Sequence, residues 1–162
     1  MSSITLEFER AFDLPASIVW DALIDPVLLE GWLADATVDP RVGGEYRLAW
    51  IAPTHLVPVA GRIVALVEGS LLEISTGGPD RLRFALVDVP GGTRGSATSV
   101  RVVVTTALEP RFAPGVIAHW RSNLEQLEEL LRGHPVDWAN WERDRGVSWG
   151  QHLERAHREN LL

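Results

Sequence analysis

Aromatic side chains with polar tips are the residues of this sequence best suited to binding a ligand. Tyr46, Trp50 and Phe84 lie at alternate positions of segments that read as strands, and Trp120 lies on an apolar helical stripe. Tyr and Trp combine a large apolar surface with one hydrogen-bonding group, which suits the wall of a pocket. Aromatic residues also commonly pack in cores, and the sequence leaves both roles open.

Cationic and titratable side chains could add polar chemistry. His55 follows Pro53 and Thr54 in a segment that reads as a loop, where a solvated histidine is more common than a catalytic one. Arg62 follows Gly61 at the start of a predicted strand, and an inward Arg there could bind a carboxylate bidentately. Arg47 and Arg83 have outward parity and are expected to form surface ion pairs. His119 adjoins an apolar helix face, where we expect partial exposure.

Several kinds of site find no support in the sequence. Cysteine is absent, which excludes thiolate metal ligands, cysteine nucleophiles and disulfides. No acid–base pair is evident, and His152 and His157 are five positions apart, so a helix would not bring them to one face. We therefore expect no metal and no cofactor, and we assign no catalytic residue.

Size and charge restrict the class of protein. The 162 residues suit one domain, and a net charge of −7 argues against nucleic-acid binding. The N-terminus lacks the basic and apolar regions of a signal peptide, and no stretch approaches the roughly 20 apolar residues that span a bilayer. We expect a soluble, cytoplasmic protein.

Periodicity indicates the elements that position these side chains. Residues 4–12 alternate as a half-buried strand, and two short helices follow, the second ending at Trp32. About six strands are predicted after the two helices, among them residues 45–50, 61–67, 71–76, 81–86 and 98–107. Residues 89–97 read as a glycine-rich loop. Consecutive strands joined by short turns pair antiparallel.

A long helix is predicted from about residue 115 to 131. Its apolar residues recur at helical spacing, namely Ile117, Trp120, Leu124, Leu127 and Leu131. No other element is large enough to cover the apolar face of the sheet, so an α+β domain over residues 1–133 is predicted. Residues 134–162 form an extension with three Trp residues and a helix from about 148 to 159. It should fold back on the domain or pack on a second copy in a homodimer.

Local motifs accompany this order of elements. They are Pro15-Ala16-Ser17-Ile18-Val19-Trp20-Asp21-Ala22-Leu23, Leu29-Glu30-Gly31-Trp32-Leu33, Asp39-Pro40-Arg41-Val42-Gly43-Gly44-Glu45-Tyr46-Arg47, Gly61-Arg62-Ile63-Val64, His119-Trp120 and Leu124-Glu125-Gln126-Leu127. From about residue 4 to 133 the chain resembles the START-like, helix-grip (SRPBCC) superfamily. Within it, the chain resembles the AHSA-type family, named for homology to an activator of a heat-shock chaperone ATPase.

The resemblance implies a curved antiparallel sheet wrapped around a long C-terminal helix, with a ligand cavity between the two. It places the loop of His55 near the cavity mouth. The expected cavity residues are Trp32, Tyr46, Leu48, Trp50, His55, Arg62, Phe84, Leu86, Trp120 and Leu124.

Three functions are compatible with this arrangement. The leading interpretation is a module that binds a small hydrophobic, lipid-like or amphipathic ligand. One alternative is an enzyme similar to a polyketide cyclase or aromatase, which would need groups for proton transfer. The other is a protein-interaction module similar to chaperone activators, with a role in the stress response, which would need an exposed apolar patch.

Overall fold

The computed structural model describes residues 3–51, 58–93 and 95–160. Its strands are β1 (Ser3–Phe12), β2 (Ala34–Val38), β3 (Glu45–Trp50), β4 (Val59–Val67), β5 (Leu71–Ser75), β6 (Arg81–Pro90) and β7 (Ser96–Ala107). Its helices are α1 (Ala16–Ile24), α2 (Pro26–Glu30), α3 (Ala113–Leu131) and α4 (Trp141–Asn160).

The strands form one antiparallel sheet in the order β1-β7-β6-β5-β4-β3-β2. The sheet curls around α3, whose apolar face packs against the inward side chains of the strands. The core formed there holds residues from all seven strands and from α1, α2 and α3, including Phe8, Leu48, Ile74, Phe84 and Leu124. The predicted α+β helix-grip fold is confirmed.

Two parts of the sheet differ from the sequence-based expectation. Strand β2 was not predicted, because its five residues Ala34–Val38 include two Ala and an Asp, which are depleted in strands, and lie at the edge of the sheet. Residues 89–97 were expected to form a loop, but Val89 pairs with Ala97 and Pro90 with Ser96. Strands β6 and β7 therefore extend further than their apolar alternation indicated.

Residues 134–160 pack against the rest of the same chain. Trp138 donates its indole N–H to the carbonyl of Glu30 at 2.5 Å, and α4 lies along α3. On α4, Ser148 donates to Glu125 of α3 at 3.2 Å, and His152 contacts the same carboxylate. Burial raises the pKa of Glu125, but these two contacts and the charge of Arg145 outweigh it and lower the pKa overall.

Helix α4 begins at Trp141, seven residues before the predicted start at residue 148. The first two turns contain Asp144 and Gly146, which have low helix propensity, and lack a continuous apolar stripe. The contacts with α3 stabilise these turns. In the described part of the chain, none of the helices combines the length and hydrophobicity that crossing a bilayer requires.

The side chain of Gln126 joins three elements beneath α4. Its Nε2 donates to the carbonyl of Trp32 at 2.8 Å and to Oδ1 of Asn123 at 2.9 Å. Its Oε1 accepts the indole N–H of Trp141 at 2.8 Å. Gln126 is only 1% exposed, so these protein groups take the place of water.

We expect Trp141→Phe to lower the free energy of unfolding by about 1–3 kcal/mol, because it leaves the buried Oε1 of Gln126 without its donor. Urea denaturation measures the change. Trp149→Phe is the matched control, because Trp149 is half-buried on the same helix, and a smaller loss is expected. Equal losses in the two variants would contradict this account of the Gln126 hydrogen bonds.

Candidate functional site

A cavity of about 70 Å³ lies between the sheet and α3. Its apolar walls come from strands β3 to β7 and from α3, and polar side chains surround one end. The lining residues are Trp50, Pro58, Val59, Ile74, Thr76, Asp80, Arg81, Leu82, Val104, Thr105, Thr106 and Trp120. The cavity is therefore apolar inside with a hydroxyl-bearing and charged rim.

Aromatic rings form one wall of this cavity. Trp50 and Trp120 meet edge to face with their centroids 6.1 Å apart, and Phe84 meets Trp120 at the same distance behind the wall. The imidazole of His119 lies 4.5 Å from the ring of Trp50 and 5.7 Å from that of Trp120. These edge-to-face contacts favour a defined arrangement of the four rings.

Tyr46 and Trp32 use their polar tips within the fold. Pro26 has no N–H for the Ala22 carbonyl, and the N–H of Val27 bonds to the Asp25 side chain, so α1 ends with unpaired carbonyls. The hydroxyl of Tyr46 donates to the carbonyl of Leu23 at 2.7 Å. The indole N–H of Trp32 donates to that of Ala22 at 2.8 Å.

Burial raises the pKa of the Tyr46 phenol, so it stays protonated and keeps donating. Both side chains are fully buried and neither lines the cavity.

Other predicted cavity residues lie in the packed core. Leu48, Phe84, Leu86 and Leu124 are buried and do not line the cavity. Of the predicted residues that the structure describes, Trp50 and Trp120 line it. His55 lies outside the described residues.

The expected inward position of Arg62 is corrected by the register of β4. Arg62 pairs with Glu45 on β3 and with Ser75 on β5, whereas the neighbouring pairs, Tyr46 with Gly61 and Ile63 with Ile74, point into the core. Arg62 therefore lies on the outer face of the sheet. It donates there to the carbonyl of Gly43 at 3.0 Å.

Arg47, predicted to be a surface ion-pair partner, lies 3.6 Å from Glu45 on the same outer face. The outer face therefore carries both Arg47, as predicted, and Arg62, which was expected at the cavity.

Sequence reasoning missed most of the lining. Ile74, Leu82 and Val104 share inward parity with Phe84, so the alternation of β5, β6 and β7 contained the signal needed to find them. Thr105 and Asp80 lie near strand ends, whose position around a cavity depends on long-range pairing. Asp80 also accepts the backbone N–H of Ala107 at 3.0 Å, which fixes its carboxylate at the rim.

His119 is almost completely buried, at 2% exposure, rather than partly exposed as expected. Its Nε2 is buried and has no hydrogen-bond partner among the residues that the structure describes. Burial lowers the pKa of His119 to about 3, because a charged imidazole would lose its hydration in this apolar surrounding. The imidazole is therefore neutral at physiological pH.

Among residues 3–51, 58–93 and 95–160, no group of three or more His, Asp or Glu side chains could hold a metal ion.

Comparison with known proteins places these features in a family context. The family model described as "Activator of Hsp90 ATPase homolog 1-like protein" matches residues 13–132. The match includes both tryptophans of the cavity wall, His119 and all of α3. No curated protein matches this sequence.

Solved structures share the fold at low sequence identity. A protein from Nitrosomonas europaea is 22% identical with a TM-score of 0.64, over 80% of this chain and 95% of that one. CalU16 from Micromonospora echinospora is 21% identical with a TM-score of 0.60, over 93% and 89%. A protein from Bordetella parapertussis is 18% identical with a TM-score of 0.66, over 94% and 84%. These similarities show the fold.

The buried imidazole predicts a pH dependence of stability. Below pH 6.5 the unfolded chain binds a proton at His119 and the folded chain does not, so the free energy of unfolding falls as the pH falls. Between pH 7 and pH 5 this histidine should lower the free energy of unfolding by about 2 kcal/mol. Urea denaturation at the two pH values should show that the free energy of unfolding falls about 2 kcal/mol further in the parent than in His119→Phe. The exposed His134→Gln serves as control and should follow the parent.

Proposed function

The chain belongs to the family of Activator of Hsp90 ATPase homolog 1-like proteins, and we propose that it binds a small hydrophobic or amphipathic ligand between its sheet and α3. The observation that carries this proposal is the apolar cavity walled by Trp50 and Trp120. Family membership supports it, because proteins with this fold commonly bind hydrophobic ligands.

The composition of the cavity favours an amphipathic occupant. Its walls of Trp, Ile, Leu and Val side chains offer apolar contact, and its rim offers the hydroxyls of Thr76 and Thr106. Asp80 brings a negative charge to the same rim, whereas Arg81 alternates with the inward Leu82 and lies 3.8 Å from Glu73 on the outer face of the sheet. A ligand with an apolar body and a polar end at the rim would match both regions.

The size of the cavity implies that a side chain moves when a ligand enters. About 70 Å³ is well below the roughly 300–1,000 Å³ of typical ligand sites. Trp50 is the large lining residue best placed to move, because it is half-buried at the end of β3, whereas Trp120 is buried on α3. Displacing the Trp50 ring would enlarge the cavity by the space of an indole.

Two measurements test whether a ligand binds. Native mass spectrometry of the freshly purified protein should show a retained small molecule. Titration with N-phenyl-1-naphthylamine, an apolar fluorophore, should show one saturable site. The absence of both a retained molecule and saturable fluorophore binding would contradict the proposed function.

We expect Trp50→Ala to bind N-phenyl-1-naphthylamine about tenfold more tightly and to associate faster than the parent. The variant no longer has to displace an indole before the probe enters, so a larger fraction of molecules is competent to bind. Equilibrium titration and stopped-flow fluorescence measure the two effects. Trp149→Ala, which removes a half-buried Trp from α4, is the matched control and should leave both unchanged.

Phe84→Ala provides the contrast within the core. Phe84 is fully buried behind Trp120, so its truncation should cost about 3–5 kcal/mol of stability. A comparable loss of stability in Trp50→Ala, with no change in probe binding, would identify Trp50 as an ordinary core residue and contradict its assigned role.

A further inference from the structure

Nε2 of His119 is a buried ring nitrogen next to the cavity wall. Nε2 is shielded from solvent and makes no hydrogen bond with any described residue. Leaving a buried donor or acceptor unsatisfied costs about 1–3 kcal/mol, and native structures satisfy nearly all such groups. An apolar side chain of similar shape would fill the same space without this cost. The unpaired nitrogen next to a cavity therefore points to a partner outside the described residues, such as a bound ligand.

The two rings that cover His119 are those that line the cavity. Trp50 lies 4.5 Å from the imidazole and Trp120 lies 5.7 Å from it, both nearly perpendicular to it. The present cavity is too small for an organic ligand, and the Trp50 ring in its wall is half-buried at the end of β3. Moving the Trp50 ring would enlarge the cavity and uncover His119 in the same step.

The state of the imidazole restricts the chemistry of the partner. Burial keeps His119 neutral, so its ring presents one N–H donor and one lone pair. A hydroxyl can donate to the lone pair, and a carbonyl can accept from the N–H. A carboxylate would have to bury its charge beside a neutral imidazole in apolar surroundings, which is costly.

We infer that His119 is the internal hydrogen-bonding residue of the cavity, and that the ligand is an uncharged molecule with a hydroxyl or carbonyl group at its buried end. This inference rests on the proposed function and adds to it a ligand class and a residue that selects it. The apolar walls bind the body of the ligand, and His119 discriminates between a ligand that carries the polar group and one that lacks it.

Naphthalene, 2-naphthol and 2-naphthoate form a matched set of probes that differ in one substituent. At pH 7 the parent should bind 2-naphthol at least about tenfold more tightly than naphthalene, because only the hydroxyl satisfies Nε2. It should bind 2-naphthoate more weakly than 2-naphthol. Isothermal titration calorimetry or ligand fluorescence gives the three affinities.

His119→Phe keeps an aromatic ring in the site and removes its hydrogen bond. We expect this variant to retain naphthalene binding and to lose the preference for 2-naphthol. His134→Gln changes an exposed histidine away from the cavity and should keep the preference. In the parent, ¹⁵N NMR of the imidazole should show the Nε2 resonance of His119 shifting with 2-naphthol and much less with naphthalene. This measurement does not depend on the stability of any variant.

The outcomes separate the two proposals. If neither naphthalene nor 2-naphthol binds the parent and N-phenyl-1-naphthylamine does not bind either, the proposed function is wrong and this inference fails with it. If naphthalene and 2-naphthol bind with equal affinity, the cavity binds apolar ligands but His119 does not discriminate between them. A preference for 2-naphthol that persists in His119→Phe, or an Nε2 resonance that 2-naphthol leaves unchanged, would also overturn the inference.

Discussion

The enclosure of α3 is the constraint on which the rest of the structure depends. The sheet covers its apolar face, and α4 together with the connection after α2 covers much of the remainder. Polar residues of α3 are consequently taken out of water, and their polar atoms need other hydrogen-bond partners. Gln126 illustrates how this is met, since its one amide bonds to Trp32, Asn123 and Trp141. Through Trp141, the segment after residue 133 thus takes part in the hydrogen bonding of the interior.

The same enclosure separates two kinds of aromatic residue. The polar groups of Tyr46 and Trp32 donate hydrogen bonds to carbonyls that α1 leaves unpaired at its C-terminal end. These bonds join α1 to β3 and to the connection after α2. Trp50 and Trp120 face the remaining space between sheet and helix. A residue's hydrogen-bond partner, more than its type, therefore distinguishes an anchor of the fold from a wall of the cavity.

Local periodicity accounted for most of the fold. The apolar stripe through Trp120 and Leu124 identified α3, and strict alternation identified the inward face of β3 and of the first half of β6. The sequence could not show that β4 pairs with β3 in the register that turns Arg62 outward, because this register is set by contacts between strands.

The candidate site was less predictable for the same reason. His119 looked partly exposed on an isolated helix, and its burial follows from packing against Trp50, a residue far away in the chain. The inward residues Ile74, Leu82 and Val104 were accessible to a parity argument. The position of Asp80 and Thr105 at the rim could not be predicted from the sequence, because it depends on how the ends of β5, β6 and β7 pair.

The pairing of β1 with β7 has a consequence for synthesis of the chain. Ser3 pairs with Ala107, so the two strands are separated by roughly a hundred residues, which a ribosome adds in about 5 to 20 seconds. Throughout this interval β1 is exposed without its neighbour, and contacts between such distant segments form slowly. Glu7, Glu9 and Arg10 interrupt its apolar residues and oppose pairing with the wrong chain. The charges on this strand thus protect the nascent protein from aggregation before the sheet can form.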